Sequence, residues 1–387
     1  MSRLLFLIAD TGGGHRAAAN AVAAQLRTSS LGPHDITILD PFAQSSPRLV
    51  ARGTALYGPL TRLAPWAWGA LYHASNSRAA VASLERSLLR LVEPGIRRAA
   101  TPSPDAIVSF HPLLNHATVR VARNLSPRPR VATVITDLVD VHASWACAAV
   151  DAVVVPSPGG WDRCRRAGVA ADRCHQIGLA VDPRFATPPA DPAEKAALRE
   201  RLGLTPGRIV LLLCGGADGS GGIARKARAL AEADLDIDLV VICGRNARAA
   251  RRLANLADGR GRRAVVRGFV DNMPEWFRAA DIVATKAGPS TIAEALCWGL
   301  PLLLTFYLPG QERGNVEWIV DSGAGRYVPT AAQLVDAVAE LAVPGSATLQ
   351  RMRDTALRLA QPAATARIAA LIEELAGAGN VTAALEA

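Results

Sequence analysis

Short β-rich apolar runs alternate with helical patterns along this chain, and this alternation is the feature that most constrains its fold. Such alternation is typical of βαβ units, in which helices connect the parallel strands of one sheet. We therefore predict an α/β fold. The predicted strands are residues 4–9, 36–39, 106–109, 131–135, 152–155, 209–213, 239–242, 264–267, 281–284, 302–304 and 326–328.

The chain has 387 residues, which exceeds what one hydrophobic core usually organises, so we expect two domains. The predicted strands form two sets on either side of a proline-rich segment that continues into a short charged helix. This composition is typical of a linker. We predict an N-terminal domain over 1–181, a linker over 182–207, a second domain over 208–348 and a helical segment over 349–387.

The formal net charge of +9 comes almost entirely from arginine, since the only lysines are Lys195, Lys226 and Lys286. A basic chain of this kind can be attracted to anionic lipid. It contains no compact basic run, zinc-finger spacing or RNA-binding signature. We therefore expect no nucleic-acid partner.

Six cysteines occur without any Cys-x-x-Cys pair, and several lie in apolar runs. This usage is typical of reduced, buried cysteines in a cytosolic protein. The apolar run at the amino terminus is too short for a signal peptide, and no stretch approaches the ~20 apolar residues of a spanning helix. We expect a cytoplasmic protein that can meet a membrane only from one side.

A glycine-rich turn, Asp-Thr-Gly-Gly-Gly-His-Arg, directly follows the first predicted strand and opens a helix. Gly13 and Gly14 would let the backbone approach a ligand closely, and the helix start offers unpaired N–H groups. His15 has a side chain that titrates near neutral pH and could accept a proton from a hydroxyl group or contact a phosphate. The alternative is a tight turn with a capping histidine.

A second candidate site lies at the end of the predicted strand 131–135, where Thr136 and Asp137 are followed by His142 and Trp145. An aspartate at the carboxyl end of a strand is where a general base lies in an open α/β domain. The alternative is an Asx-type turn residue, which is common at such positions.

Residues 48–93 interrupt the first domain, beginning with leucines at helical spacing and with Arg48, Arg52 and Arg62 between them. The aromatic residues Trp66, Trp68 and Tyr72 follow. Tryptophan and tyrosine near arginine favour the lipid–water boundary, so this segment is a candidate membrane contact. The alternative is an ordinary helix whose aromatic side chains lie in the core.

Three consecutive strands of the second domain end in glycine-bearing loops. The first, 215–222, lacks the Gly-Lys-Ser/Thr ending of a Walker loop but could face a phosphate, the alternative being a merely flexible loop. The candidate ligand-binding residues are Gly215 and Gly216 in the first loop, Arg245 in the second, and Phe269, Val270 and Met273 in the third.

Residues 286–315 contain a turn, a helix, a strand and a second turn. The first turn places Gly288, Pro289, Ser290 and Thr291 at a helix start that suits a phosphate, and the second places Gln311 and Glu312 where they could bind sugar hydroxyls. The suggested ligand is a sugar nucleotide. Glu294 could bind ribose, or it could close a capping box with Thr291.

Asp236 and Asp238 form an Asp-x-Asp pair like the metal motif of some glycosyltransferases. The pair precedes a strand, so it lies at the wrong edge of the sheet, and we interpret it as turn residues. No His, Cys or carboxylate cluster has ligand spacing. We predict neither a bound metal nor another cofactor.

Taken together, these motifs resemble the monogalactosyldiacylglycerol synthase group of family 28 GT-B glycosyltransferases, related to the peptidoglycan N-acetylglucosaminyltransferases. The matching segments are DTGGGHRA, APWAWGALYHASN, TDLVDVHASW and KAGPSTIAEAL with the following PGQERGNV. The resemblance implies two Rossmann-like domains facing each other across a cleft. Ser290 departs from the glycine usual in the family, and Val141 and Ala146 depart near His142.

The resemblance also implies roles for individual residues. Residues 268–273 would contact uracil and 288–291 the diphosphate, while Glu294 would bind ribose and Gln311 with Glu312 the hexose. His15 corresponds to the family's essential histidine and Asp137 to its strand-end aspartate. Gly13, Gly14, Trp66, Trp68, Tyr72, His142 and Trp145 fall on the acceptor and membrane side.

From these observations we expect an inverting transferase that moves a hexose, galactose or glucose, from UDP-hexose to diacylglycerol. We expect it on the cytoplasmic face of the cell membrane, in contact with anionic membrane lipids. Two alternatives remain open. One is transfer to a polyprenyl-linked or small-molecule acceptor, and the other is a UDP-sugar epimerase.

Overall fold

The structure is a computed structural model that describes residues 1–10, 13–30, 32–45, 57–186 and 191–385. The chain divides into two compact units. The first contains Met1–Pro183, Pro309–Gln311 and Ala363–Ala387, and the second contains Arg184–Leu308 and Glu312–Pro362.

The first unit is built on a parallel sheet of six strands in the order β2-β1-β3-β4-β5-β6. Its strands are β1 (Arg3–Leu7), β2 (Asp35–Leu39), β3 (Ala106–Ser109), β4 (Arg130–Val134), β5 (Ala152–Val155) and β6 (Cys174–Gln176). The helices between them are α1 (Gly14–Arg27), α2 (Pro41–Ser45), α3 (Tyr57–Leu63), α4 (Pro65–Ser75), α5 (Arg78–Arg86), α6 (Glu93–Ala99), α7 (Asn115–Ala122) and α8 (Pro158–Arg166).

The second unit has the same architecture, a parallel sheet of six strands in the order β12-β11-β10-β7-β8-β9. Its strands are β7 (Ile209–Cys214), β8 (Ile237–Ile242), β9 (Val265–Arg267), β10 (Ile282–Lys286), β11 (Leu302–Phe306) and β12 (Gly325–Tyr327). Its helices are α9 (Pro192–Arg201), α10 (Ile223–Glu232), α11 (Ala247–Leu253), α12 (Met273–Ala279), α13 (Pro289–Cys297), α14 (Arg313–Ser322), α15 (Ala331–Leu341) and α16 (Ala347–Leu359).

Both faces of the first sheet are covered, which is why its central strands are continuous apolar runs. Along β1, Leu5 and Leu7 belong to one buried cluster, whereas Leu4 and Phe6 belong to the cluster on the opposite face. A long helix, α17 (Ala364–Leu385), packs against α1 on this second face. The end of the chain therefore completes the core of the first unit.

The predicted α/β architecture is confirmed, and each predicted strand overlaps a strand of the structure. Strand β6 was not predicted. The six cysteines are all buried and unpaired, as expected. Within the described ranges, every helix is too short or too polar to cross a membrane.

The predicted linker and the predicted C-terminal segment do not form separate parts of the structure. Each is divided between the two units. Helix α9, within the predicted 182–207 linker, belongs to the second unit, where Lys195 and Arg199 pair with Asp281. Of the two C-terminal helices, α16 belongs to the second unit and α17 to the first.

Candidate active site

Three neighbouring strands of the first sheet end beside one another and carry candidate side chains beyond their last residues. Strand β1 pairs with β3, and β3 pairs with β4, all in parallel. His15 follows β1, His111 follows β3 and Asp137 follows β4. The rings of His15 and His111 are 4.7 Å apart. The three candidate side chains therefore follow strand ends at one edge of the first sheet.

His15 is the second residue of α1, directly after Gly13 and Gly14. Gly13 has a φ of 90°, a conformation that favours glycine, and so allows the sharp turn into the helix. The ring of His15 reaches Thr136, with 2.8 Å between Nδ1 and Oγ1. Its contact with the β4 loop argues against a purely capping role. Thr11 and Gly12 of the same turn lie outside the described residues.

Burial sets the protonation of His15. It lowers the pKa of His15 to about 4, although a hydrogen bond with the Phe110 backbone opposes the change. The imidazole is therefore uncharged at neutral pH and retains a nitrogen lone pair. An uncharged ring in this position can accept a proton from a hydroxyl group.

Asp137 is almost fully buried, at 4% exposure, and is held by Trp145. The indole Nε1–H of Trp145 donates a hydrogen bond of 2.7 Å to Oδ2 of Asp137. The Trp145 side chain is itself completely buried, on a short 3₁₀ turn (Ala143–Trp145). A donor aimed at a carboxylate stabilises its charged form, which is the form that a general base requires.

His142 lies in a second polar cluster of the first unit. Its Nδ1 is 2.7 Å from Oγ of Ser144, and its Nε2 is 3.2 Å from Oγ of Ser75. The Tyr72 ring packs edge-on against it at 4.8 Å, and the Tyr72 hydroxyl donates to the Asp140 carbonyl at 3.0 Å. Burial is the main cause that lowers the pKa of His142 to about 4 and raises that of Tyr72.

The aromatic segment 64–76 has an exposed part and a buried part. Trp66 is 75% exposed, and Leu63 and Leu71 beside it are exposed as well. Tyr72 is buried, and the rings of Trp68 and Tyr72 are 6.5 Å apart. The segment therefore combines an apolar surface with core contacts. Arg48 and Arg52 lie outside the described residues, and the structure does not describe the side chain of Arg62.

In the second unit, the loops after β7, β8 and β9 pack against one another. The backbone N–H of Arg245 donates to the Ala217 carbonyl at 2.8 Å, and its side chain pairs with Asp218 at 3.2 Å. The Arg245 guanidinium also lies 5.9 Å from the ring centroid of Phe269, which is 63% exposed. One arginine thus joins all three predicted loops.

The glycines of the first loop are required by close packing. Gly216 has a φ of 68° and Gly219 a φ of 57°. A Cβ atom on Gly215 would lie 2.6 Å from the backbone of Ser220. These contacts argue against the alternative of a merely flexible loop. In the third loop, Val270 is half-buried and Met273 begins α12.

Helix α13 begins at Pro289, with Gly288 as its N-cap and no capping side chain. Thr291 is therefore the third helical residue, and the capping-box alternative for Glu294 is wrong. Ser290 lies in the first turn with helical geometry, since Asp234 alone has a positive φ among the non-glycine residues described. A serine at this position does not disturb the turn.

The second predicted turn of this region is divided between the units. Gln311 belongs to the first unit, where its Nε2 lies 3.3 Å from Oδ1 of Asp137. Glu312 belongs to the second unit, where its carboxylate pairs with the ammonium of Lys286. The other Glu312 oxygen accepts the Leu308 N–H at 2.9 Å, and its side chain is only 2% exposed.

Asp236 precedes β8 at the opposite edge of the second sheet, as predicted, whereas Asp238 is the second residue of β8 and not a turn residue. Asp236 pairs with Arg262 at 2.8 Å, and Asp238 pairs with Arg208 at 3.1 Å. Among the described residues there is no group of three or more His, Cys, Asp or Glu side chains able to hold a metal ion.

Two residues of these clusters had no predicted role of their own. Thr136 contacts His15, and Lys286 pairs with Glu312. Lys286 had a signal in the sequence, because it is one of only three lysines in an arginine-rich chain and ends a strand. Thr136 had none beyond its place next to Asp137.

Two family models match this chain. Monogalactosyldiacylglycerol (MGDG) synthase matches residues 15–181, and the glycosyltransferase family 28 C-terminal domain matches residues 210–369. The two regions include nearly all of the candidate residues described above.

Proteins that are similar over nearly all of this chain carry the same family name. Monogalactosyldiacylglycerol synthase 1, chloroplastic, of Arabidopsis thaliana is 34% identical over 96% of this chain and 71% of its own length. A probable monogalactosyldiacylglycerol synthase, chloroplastic, of Glycine max is 33% identical over the same shares. These relatives are named chloroplastic, so the prediction of the cytoplasmic face of the cell membrane is wrong.

Solved structures share the fold at low sequence identity. Acinetobacter baumannii MurG is 16% identical with a TM-score of 0.62, covering 97% of this chain and 100% of that one. UDP-GlcNAc 2-epimerase from Neisseria meningitidis is 12% identical with a TM-score of 0.59, covering 96% and 100%. The predicted GT-B fold is confirmed. At such low sequence identity, these solved structures are evidence for the fold alone. From the identity and coverage of its relatives, the chain belongs to the monogalactosyldiacylglycerol synthase family of GT-B glycosyltransferases.

Proposed function

We propose that this protein transfers galactose from UDP-galactose to diacylglycerol, forming a glycolipid at a membrane surface. The single observation that carries the proposal is the buried carboxylate of Asp137, held by Trp145 close to His15 in a chain of the MGDG synthase family. The relatives are named for monogalactosyldiacylglycerol, which supplies the sugar and the lipid class. The local geometry supplies candidate groups for the chemistry.

The reaction is a single displacement at the anomeric carbon. The sn-3 hydroxyl oxygen of diacylglycerol forms a bond to that carbon as its bond to the UDP oxygen breaks, which inverts the configuration. The hydroxyl proton passes to Asp137 or His15, and UDP leaves with the bonding electron pair. Both groups suit this role, since His15 is uncharged at neutral pH and Asp137 has a donor that favours its charged form.

The donor is bound by the second unit. The backbone N–H groups in the first turn of α13, including those of Ser290 and Thr291, lack partners within the helix and bind the diphosphate. Glu294 binds the ribose hydroxyls. The exposed ring of Phe269, with Arg245 beside it, packs on the uracil base together with Val270 and Met273.

Departure of UDP proceeds without a metal ion. The backbone N–H groups at the start of α13 offset the charge that develops on the leaving diphosphate. Transfer is therefore expected to continue in EDTA, and loss of activity that Mg²⁺ or Mn²⁺ restores would contradict this part of the proposal.

Contact with the membrane is made by the first unit. Leu63, Trp66 and Leu71 expose apolar surface within one short segment, where an indole ring suits the lipid–water boundary. The net charge of +9 adds attraction to anionic lipids.

The proposal is tested with purified protein and a panel of UDP-galactose, UDP-glucose and UDP-N-acetylglucosamine. Diacylglycerol in mixed micelles and a polyprenyl-linked acceptor are compared, with lipid products separated by thin-layer chromatography. The expected result is a monoglycosyl diacylglycerol that forms fastest from UDP-galactose. Product only on the polyprenyl acceptor, or conversion of a UDP-sugar without any acceptor, would overturn the proposal.

A further inference from the structure

Lys286 and Glu312 form an ion pair within the second unit. Lys286 is the last residue of β10, and Glu312 immediately precedes α14. The two are brought together because β10 and β11 are neighbouring parallel strands. Glu312 is 2% exposed, with one oxygen on Lys286 and the other on the Leu308 N–H.

The ammonium of Lys286 lies among groups that suit a diphosphate. A Cβ atom added to Gly288, the N-cap of α13, would be 3.1 Å from Lys286 Nζ. A Cβ atom added to Gly216, in the loop after β7, would be 3.2 Å from Lys286 Cε. The cation thus lies between a glycine loop and a helix start, two backbone features that bind phosphate.

We propose that Lys286 changes partners when the donor binds, leaving Glu312 for the diphosphate and releasing the Glu312 carboxylate to the hexose. The inference rests on the proposed function, because it takes the phosphate-binding role of the α13 turn from it, and it takes the hexose contact of Glu312 from the family resemblance. It assigns Lys286 to the donor site and makes Glu312 a competitor of the diphosphate as well as a ligand of the sugar.

The diphosphate and the Glu312 carboxylate compete for the Lys286 ammonium, so the exchange predicts whether Glu312 raises or lowers UDP affinity. A diphosphate carries more negative charge than a carboxylate and can use the α13 N–H groups at the same time, so it displaces Glu312. UDP alone leaves the displaced, desolvated carboxylate with the Leu308 N–H but without a cation, which weakens UDP binding. A UDP-hexose offers hydroxyl groups to that carboxylate and recovers the loss.

The test is calorimetric titration of UDP and of UDP-galactose into the full chain, without acceptor. Glu312→Gln removes the competing charge and keeps the shape of the side chain. If Glu312 holds Lys286 about nine times in ten, UDP should bind Glu312→Gln about tenfold more tightly than wild type. In Glu312→Gln, the ratio of UDP-galactose affinity to UDP affinity should fall from its wild-type value towards one.

The matched control is Glu340→Gln, which makes the same change of net charge on a surface partner of Arg326. It should leave UDP affinity unchanged. Equal UDP affinity in wild type and Glu312→Gln, or equal tightening by both substitutions, would overturn the exchange. Simple hexose contact by Glu312 predicts weaker UDP-galactose binding with no change for UDP.

A double-mutant cycle assigns the effect to Lys286. Lys286→Met should weaken UDP binding at least about tenfold, and adding Glu312→Gln to it should then produce no tightening. Since Lys286→Met leaves a buried carboxylate unpaired, thermal unfolding is measured for each variant, and the double variant provides a folded comparison. Tightening of the same size in the Lys286→Met background would contradict the role of Lys286.

Failure of this inference is separable from failure of the proposed function. A wild-type protein that binds no UDP, or makes no glycolipid, speaks against the proposed function. A wild-type protein that does both, with UDP affinity unaffected by Glu312→Gln, speaks against the partner exchange alone.

Discussion

The indole of Trp145 donates a 2.7 Å hydrogen bond to the carboxylate of Asp137, and both side chains are buried in the first unit. The bond holds one carboxylate oxygen in a fixed direction and favours the charged form of Asp137. The tryptophan of the family motif therefore has a role beyond packing, since it fixes the direction of one oxygen of a candidate base.

Replacing Trp145 with phenylalanine should lower kcat about ten- to hundredfold, because one hydrogen bond to a charged group is lost while most of the packing remains. The KM for UDP-galactose should change little. Steady-state kinetics with diacylglycerol micelles measure both constants. Trp161→Phe, the same substitution at a tryptophan on α8, is the control. A normal kcat in Trp145→Phe would reduce Trp145 to a packing residue.

Asp137→Asn and His15→Ala distinguish the two candidate bases. Removal of a general base lowers kcat about 10²- to 10⁴-fold, whereas removal of a neighbouring polar group costs less. The larger loss identifies the base, and UDP binding should persist in both variants. Calorimetry with UDP verifies that the donor site is intact. Full activity in both variants would rule out this mechanism.

Glu294→Ala should raise the KM for UDP-galactose strongly and leave the free energy of unfolding nearly unchanged. The structure motivates the second half of this prediction, because α13 begins at Pro289 and Glu294 is the sixth helical residue, too far along to close a capping box with Thr291. Donor saturation kinetics and urea unfolding are measured on the same preparation. An unchanged KM with reduced stability would assign Glu294 a structural role instead.

Sequence patterns located the strand ends, because parallel strands buried on both faces leave continuous apolar runs. Asp137 and His15 were predicted as candidates for this reason. Strand β6 was missed because it is a three-residue edge strand, Cys-His-Gln, with only its first residue buried. The sequence around Thr291 fits a capping box, but the Gly288-Pro289 pair starts the helix earlier, since proline is favoured in a first turn.

Partnerships between distant residues could not be read from the sequence. Lys286 and Glu312 are 26 positions apart and meet only because β10 and β11 are neighbours. Trp145 reaches Asp137 because a 3₁₀ turn redirects the chain after His142. Spacing identifies the residue types at a site, but side-chain direction depends on loop geometry that leaves no periodic signal.

Burial of His142 should make the protein less stable in mild acid. Its pKa is lowered from 6.5 to about 4, so between these values the unfolded chain binds a proton that the folded chain does not. The free energy of unfolding therefore falls as pH decreases through this window. Between pH 7.5 and 5, His142→Gln should lose about 2 kcal/mol less than wild type. Urea unfolding at both pH values measures this, with the exposed His73→Gln as control. Equal losses would contradict the buried neutral state.

Exposed apolar side chains near Trp66 should determine membrane affinity. The double substitution Leu63→Ser and Trp66→Ser removes two exposed apolar groups and should weaken binding to vesicles of diacylglycerol and anionic phospholipid about tenfold or more. Co-sedimentation measures the bound fraction. The control, Val343→Ser with Leu357→Ser, removes exposed apolar surface from the second unit. Equal weakening by both pairs would indicate nonspecific adsorption, and no weakening by the first pair would place the membrane contact elsewhere.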